Sequence, residues 1–240
     1  ILYLLQIYNG GLSMSKGYNF LIIILILVIF VGCTTTKFVV DVSSLSVGNN
    51  DKKKIFIVPA DKNVNINDVV FLEFAKYVGK ALSKNGFIVV DNLDEADQVL
   101  FLGYAISEPQ SYNVQVPMWG PTGIASSSTF GNINSSGNFY SNTNYNYQYG
   151  ITGYMSRQVI YFTRVIVLTA YDWKLFVKTK KEKQIWQTNI ISTGSSDDLR
   201  YVFPYMVLAS EKYIGRSTRG KITVEVSEYD SRIKEYIQSD

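Results

Sequence analysis

Between Pro109 and Ser156 the chain has no charged side chain, although charged residues make up 18% of the whole. Within that stretch, residues 126–150 are dominated by Ser, Asn, Gly, Thr and Tyr. A segment this long inside a compact domain is normally functional or disordered, so the flanking sequence has to fold around it as an insertion. Tyr145, Tyr147 and Tyr149 alternate with Asn144, Asn146 and Gln148, and Tyr112, Val114 and Val116 alternate in the same way. A period of two is strand periodicity, here with one aromatic face. Such a face can take carbohydrate rings, a partner's edge strand or its own copy in another chain. Three readings stay open: a polar loop, an arm that binds a partner or assembles with itself, and a membrane-inserting hairpin. Trp119, Tyr145, Tyr147 and Tyr149 are the candidate partner-binding residues. Aromatic alternation without charge suits a β-barrel wall, but the many Asn and Ser residues weigh against a lipid-facing surface.

The flanks carry ordinary domain signals. Residues 54–59 read as an apolar strand, with Asn65 or Asn67 as the cap of a helix whose stripe is Phe71, Phe74, Ala75, Val78 and Leu82. Asn85-Gly86 stops that helix, residues 87–90 and 98–107 follow as strands, and Asp94 is expected to cap a helical turn between them. After the insertion, a strand from Arg157 alternates with both faces apolar. It closes through a basic turn at residues 178–183 and pairs with residues 184–193 as a hairpin. Ser195 and Ser196 are expected to cap a second helix with stripe Leu199, Val202, Phe203, Met206, Ser210 and Tyr213, kinked or started at Pro204. Residues 221–227 form a last strand. The expectation is an α+β, two-layer domain over residues 53–228. It has a mixed sheet of about six strands and two main helices in the order βαββ, insertion at 109–156, ββαβ. Residues 229–240 are left as a C-terminal tail with a short surface helix.

Composition excludes much chemistry. The chain has 240 residues, 47% apolar, so it can bury a core. With 23 basic against 20 acidic residues and no long basic block, nucleic acid is not an expected partner. There is no histidine and a single cysteine, Cys33, which removes Ser-His-Asp and Cys-His catalysis and any disulfide within the chain. Gly215 to Lys221 has P-loop spacing, but Ile222 replaces the magnesium-binding hydroxyl and the segment runs from helix to strand. Asp91, Asp94, Glu95 and Asp97 lack the spacing of a calcium loop and read as a solvated turn. Ser231-Arg232-Ile233-Lys234 has S-x-x-K spacing without companion motifs. No enzyme activity, metal or cofactor is expected.

At the N-terminus, residues 20–31 form an unbroken apolar run, too short for the roughly 20 residues of a spanning helix and suited to a signal-peptide core. Met14 and Lys16 precede it and Gly32-Cys33 follow. The order resembles the lipobox of bacterial lipoproteins, reading Phe30-Val31-Gly32-Cys33, with Phe30 where that family places an aliphatic residue. The resemblance implies a diacylglycerol on the Cys33 sulfur, cleavage after Gly32 and acylation of the new amino group, which together anchor the chain in a membrane. Thr34 in place of Asp implies sorting to the outer membrane in a Gram-negative source. Residues 1–13 are then a gene-model extension, 14–32 the signal peptide and 33–52 a lipidated tether.

The domain is similar to a family of bacterial lipoproteins of unknown function. The motifs are Phe74-Ala75-Lys76-Tyr77-Val78, Asp94-Glu95-Ala96-Asp97, Ala170-Tyr171-Asp172, Trp186-Gln187, Ser192-Thr193-Gly194 and Val202-Phe203-Pro204-Tyr205-Met206. The resemblance covers residues 53–227 outside the insertion. It implies a non-enzymatic envelope protein at the periplasmic face of the outer membrane, binding an envelope protein or peptidoglycan. The βαββ order also looks like small domains of lipoproteins that bind partners in peptidoglycan synthesis, or that assemble into the curli export pore. The alternatives to a binding or scaffold module are thus a homo-oligomeric assembly or export-pore subunit and, third, an envelope hydrolase.

Overall fold

The computed structural model describes residues 36–47 and 53–238. Cys33, the 1–13 extension and the 14–32 signal segment lie outside the described residues. A mixed eight-stranded sheet runs in the order β3-β2-β4-β6-β7-β1-β8, with β5 paired to β6 off this path. The strands are β1 (Lys37–Ser46), β2 (Lys54–Pro59), β3 (Ile88–Val89), β4 (Gln98–Ile106), β5 (Gln110–Ile133), β6 (Phe139–Asp172), β7 (Gln184–Gly194) and β8 (Ile222–Ser227). Among the described residues the parallel pairs are β2 with β3 and β2 with β4.

The first correction concerns the tether. Residues 37–46, expected to lead away from the lipid, form β1, which pairs with β7 on one side and β8 on the other. Its alternation is complete: Phe38, Val40, Val42 and Ser44 are buried. Thr, Ser and Val resemble a linker by composition, yet β-branched residues suit a half-buried pleat. The partners that bury this one come from the far end of the chain.

Helix α1 (Val69–Lys84) starts at Asp68, whose carboxylate accepts from the Val70 and Phe71 amides at 3.0 Å each. The expected caps sit in the preceding turn, where Asn65 Oδ1 accepts from the Asn67 amide. Phe71, Phe74, Val78 and Leu82 are buried as the stripe requires, and Gly86 at φ 82° turns the chain out. A short helix α2 (Trp173–Thr179), capped by Asp172, replaces part of the basic turn. Helix α3 (Leu199–Ser210) is capped by Asp198 rather than by Ser195 or Ser196, and holds Pro204 in its interior. Residues 202–210 are all buried. The tail supplies one reason: the expected short surface helix is α4 (Ile233–Ile237), which packs on α1 and α3 and adds Ile233 and Tyr236 to the core while the rest of the segment stays largely exposed.

The core lies between the helices and one face of the sheet. Phe74 and Phe203 stack with ring centroids 3.9 Å apart, and Phe38 stacks on Tyr205 at 4.2 Å. Trp186 is buried and donates its indole N–H to Gln98 Oε1 at 3.0 Å.

The structure uses the rejected motifs locally. Asn92, not Asp94, caps the 3₁₀ turn Leu93–Glu95. Asp97 accepts from the Lys54 amide and pairs with Lys174. In the segment with P-loop spacing, Thr218 Oγ1 accepts from the Ser44 amide at 3.0 Å and Ser217 Oγ from the Ser46 amide at 3.0 Å, stitching the turn to β1.

A two-stranded ribbon as the candidate functional site

The charge-free insertion is a ribbon of two antiparallel strands. β5 and the distal part of β6 are in register from Gln110↔Tyr161 to Ile133↔Phe139. At about 3.3 Å per residue the 24 residues of β5 span roughly 80 Å. The reading as a loop is therefore replaced by paired strands, and the alternation of Tyr145, Tyr147 and Tyr149 is strand alternation. Asn134 makes the tip: its Oδ1 accepts from the Ser136 and Asn138 amides, and Gly137 at φ 80° reverses the chain.

At its root the ribbon is held firmly. Past Tyr161, β6 enters the sheet between β4 and β7, pairing Arg164 with Ile106 and with Ser192. The Arg164 side chain is buried and donates to the Ser192 and Ser196 carbonyls at 3.4 and 3.3 Å. Burial lowers its pKa. Gly194 leaves the space that this guanidinium fills.

Register decides what each face carries, because directly paired residues project to the same side. On one face lie Trp119 with Ile151, Pro121 with Tyr149, Ile124 with Tyr147, and Ser127 with Tyr145. The other face carries Gly120 with Gly150, Gly123 with Gln148, Ser126 with Asn146, and Ser128 with Asn144. Two independent contacts agree with this division. Asn146 Nδ2 donates to Ser126 Oγ at 3.1 Å, and the Thr129 and Thr143 hydroxyls bond at 2.9 Å on the aromatic side.

All four sequence-predicted contact residues therefore share one face. They are well exposed: Trp119 71%, Tyr145 50%, Tyr147 53% and Tyr149 70%. Ile124, Ile151 and Tyr154 extend the same strip and were not singled out in the sequence. The register shifts between Met118/Trp119, Pro121/Gly123 and Ile124/Ser126 break the period on which sequence reading depends. At the first shift the apolar side changes. Tyr112, Val114, Val116 and Met118 lie on the side that carries the amides beyond it, and Trp119 opens the aromatic strip on the opposite side.

Both outer edges of this ribbon are open. Among the described residues β5 pairs only with β6, and residues 139–161 of β6 pair only with β5. A two-stranded hairpin is marginal by itself in water, and an exposed strand edge is a template for another strand.

Elsewhere, a cavity of about 370 Å³ lies on the sheet side away from α1 and α3, lined by Phe101, Tyr171, Trp173 and Phe176. Among the described residues no group of three or more acidic or thiol side chains could hold a metal ion, and no helix is long and apolar enough to cross a membrane. The latter says nothing of strands.

No protein-family model matches the chain, and no curated protein matches it. A solved PDZ domain protein from Parabacteroides distasonis is similar over 80% of this chain and 39% of its own, at 11% identity and a TM-score of 0.38. The chain thus spans well under half the length of that protein.

Proposed function

We propose that the protein is a non-enzymatic subunit of a bacterial envelope assembly, anchored through lipid on Cys33 at the periplasmic face of the outer membrane, whose copies join in a ring through their ribbons. The observation that carries the reading is the long uncharged ribbon with both edges open. When β5 of one copy pairs with β6 of the next, every contact is antiparallel and each copy offers the same two edges. Such head-to-tail contacts close into a ring when the rotation allows. The absence of charge on the ribbon removes the usual device by which edge strands are kept apart.

The direction of β1 supports the same reading. Val40 and Arg164 are both partners of Ser192, so they share one row of the sheet. From that row β1 runs back to Lys37 at the end of the sheet from which the ribbon leaves. On the anchor reading, the seven residues of chain between Cys33 and Val40 separate the lipid from that row by at most about 23 Å, so anchor and ribbon address one membrane.

The binding-module alternative uses the same aromatic face in a single copy, against an envelope protein or peptidoglycan. The test is removal of residues 122–150 from the lipidated protein, followed by native mass in detergent and thermal unfolding. The assembly reading predicts that copies separate while the sheet domain still unfolds cooperatively at nearly the same temperature. An unchanged oligomer after the deletion overturns it.

A further inference from the structure

We infer that in the assembled ring the ribbon beyond Met118 crosses a lipid bilayer as a β-barrel wall, with the Trp119 and Tyr147 face toward acyl chains and the Asn146 face lining a water-filled lumen without fixed charge. The inference rests on the assembly reading and adds to it an environment for each face and a class of cargo.

Four observations converge on it. Strands crossing a membrane alternate apolar outward and polar inward, and the register sorts the ribbon in that way from Trp119/Ile151 to Ile124/Tyr147, while nearer the tip hydroxyls of Thr129, Thr143 and Ser141 lie on the aromatic side and Phe130 and Tyr140 on the amide side. Asn144, Asn146 and Gln148, whose number weighed against a lipid-facing surface in the sequence, all fall on the opposite face. Length also fits. Residues 139–151, the part of β6 paired beyond Met118, span about 43 Å along the strand, or about 30–33 Å across a membrane at the roughly 40–45° tilt of barrel strands, close to the hydrocarbon thickness of a bilayer. On the aromatic side, rings stand at both ends, Trp119 and Tyr154 toward the sheet and Phe139 near the tip, as in interfacial girdles. Finally, the apolar side changes at the Met118/Trp119 shift, so the ribbon presents a different surface on either side of that level.

Closure is a physical requirement. No open strand edge is tolerated in hydrocarbon, so ribbons can enter only as a closed barrel. With two strands per copy, about four copies give the smallest known barrel size and about eight give the 16 strands of an aqueous channel. The lumen presents carboxamides, hydroxyls and glycine, with the Phe130 and Tyr140 rings near the tip and neither sign of charge. It suits hydrophilic solutes or chains of either charge and gives little selection between cations and anions.

The experiment reconstitutes detergent-extracted protein in planar bilayers under a KCl gradient, beside native mass. Wild type is expected to conduct with a reversal potential near zero. Asn146→Lys should still insert and should shift the reversal potential toward anion selectivity. Tyr147→Lys should lower insertion events at least tenfold while circular dichroism of the sheet domain is unchanged. As a readout free of folding defects, lipids with brominated acyl chains should quench wild-type tryptophan fluorescence, and Trp119→Phe should remove that quenching. Rings that neither conduct nor show quenching overturn the membrane crossing and leave the assembly reading standing. Normal insertion of Tyr147→Lys with failure of Asn146→Lys overturns the assignment of faces. A monomer by native mass overturns the assembly reading itself.

Discussion

Val40 and Arg164 flank Ser192 on one row of the sheet, Val40 from β1 and Arg164 from β6. The pairing joins the first described strand to the root of the ribbon through a single intervening residue. Ser192 tightens it by donating its hydroxyl to the Val39 carbonyl at 2.9 Å. Because the start of β1 at Lys37 and the root of the ribbon lie at one end of the sheet, the chain enters β1 from the end at which the ribbon leaves. The predictions below begin with that junction.

Val40 is fully buried between two neighbouring strands. Val40→Asp places an unpaired carboxylate there, and an uncompensated buried charge costs more than about 3 kcal/mol. Loss of cooperative thermal unfolding is expected. A variant that melts like wild type would return residues 37–46 to the role of a tether.

The Trp186 indole has Gln98 as a buried acceptor. Gln98→Leu keeps the volume but removes that acceptor, and a buried unsatisfied donor costs about 1–3 kcal/mol. Chemical denaturation should show a lower midpoint with an unchanged slope. No shift in midpoint would mean that this hydrogen bond contributes nothing to stability.

Phe203 stacks on Phe74 with rings 2° from parallel, and it lies at the centre of the packing between α1 and α3. Phe203→Ala should cost about 3–5 kcal/mol by loss of apolar burial and by the cavity left behind. A loss below 1 kcal/mol in equilibrium unfolding would contradict the packing described.

These elements show how much was legible. The stripe Phe71, Phe74, Val78 and Leu82 sits in a regular 3.6-residue period and lies in the core as that period requires. The strand from Arg157, with both faces apolar, is likewise the strand held between two neighbours. The caps were misplaced by one to three residues, because Asn65, Asn67 and Asp68, like Ser195, Ser196 and Asp198, are all competent side chains and only backbone geometry chooses among them. β1 was hidden because its partners are more than a hundred residues away. In the ribbon, Tyr145, Tyr147 and Tyr149 declare a strand, but their partners Ser127, Ile124 and Pro121 are separated by bulged residues that no local period reveals. The separation of Tyr145, Tyr147 and Tyr149 from Asn144, Asn146 and Gln148 is legible as alternation, and the pairing adds the β5 half of each face, which decides what the ribbon can face.

Alkaline pH should destabilise the domain through phenols that burial or a carboxylate partner holds protonated. Burial, then the bond to Glu73, pushes Tyr77 up from 10.0 to about 12. Burial, then the bond to Glu211, raises Tyr236 further, and the bond to Glu228, then burial, raises Tyr201. A phenol whose pKa is raised by folding stabilises fully below its unfolded value. That contribution is lost as pH rises from about 10 through 12. Tyr236→Phe should be less stable than wild type at neutral pH and should show a shallower decline above pH 10. An equally steep decline in the variant would remove Tyr236 as a source of the alkaline loss.

Cys33→Ser removes the only thiol in the chain. The lipid-anchor reading predicts an unprocessed protein, or one recovered in the aqueous phase of a detergent partition. Normal processing with unchanged membrane attachment would contradict the anchor and leave the ribbon to account for attachment alone.

The central claim is that this protein works as a closed assembly of ribbon-paired copies, and native mass spectrometry of the detergent-extracted, processed protein tests it most directly. The account predicts one discrete species of at least about four subunits, with about eight or more if the barrel encloses water. A monomer or dimer across detergents and concentrations would contradict it.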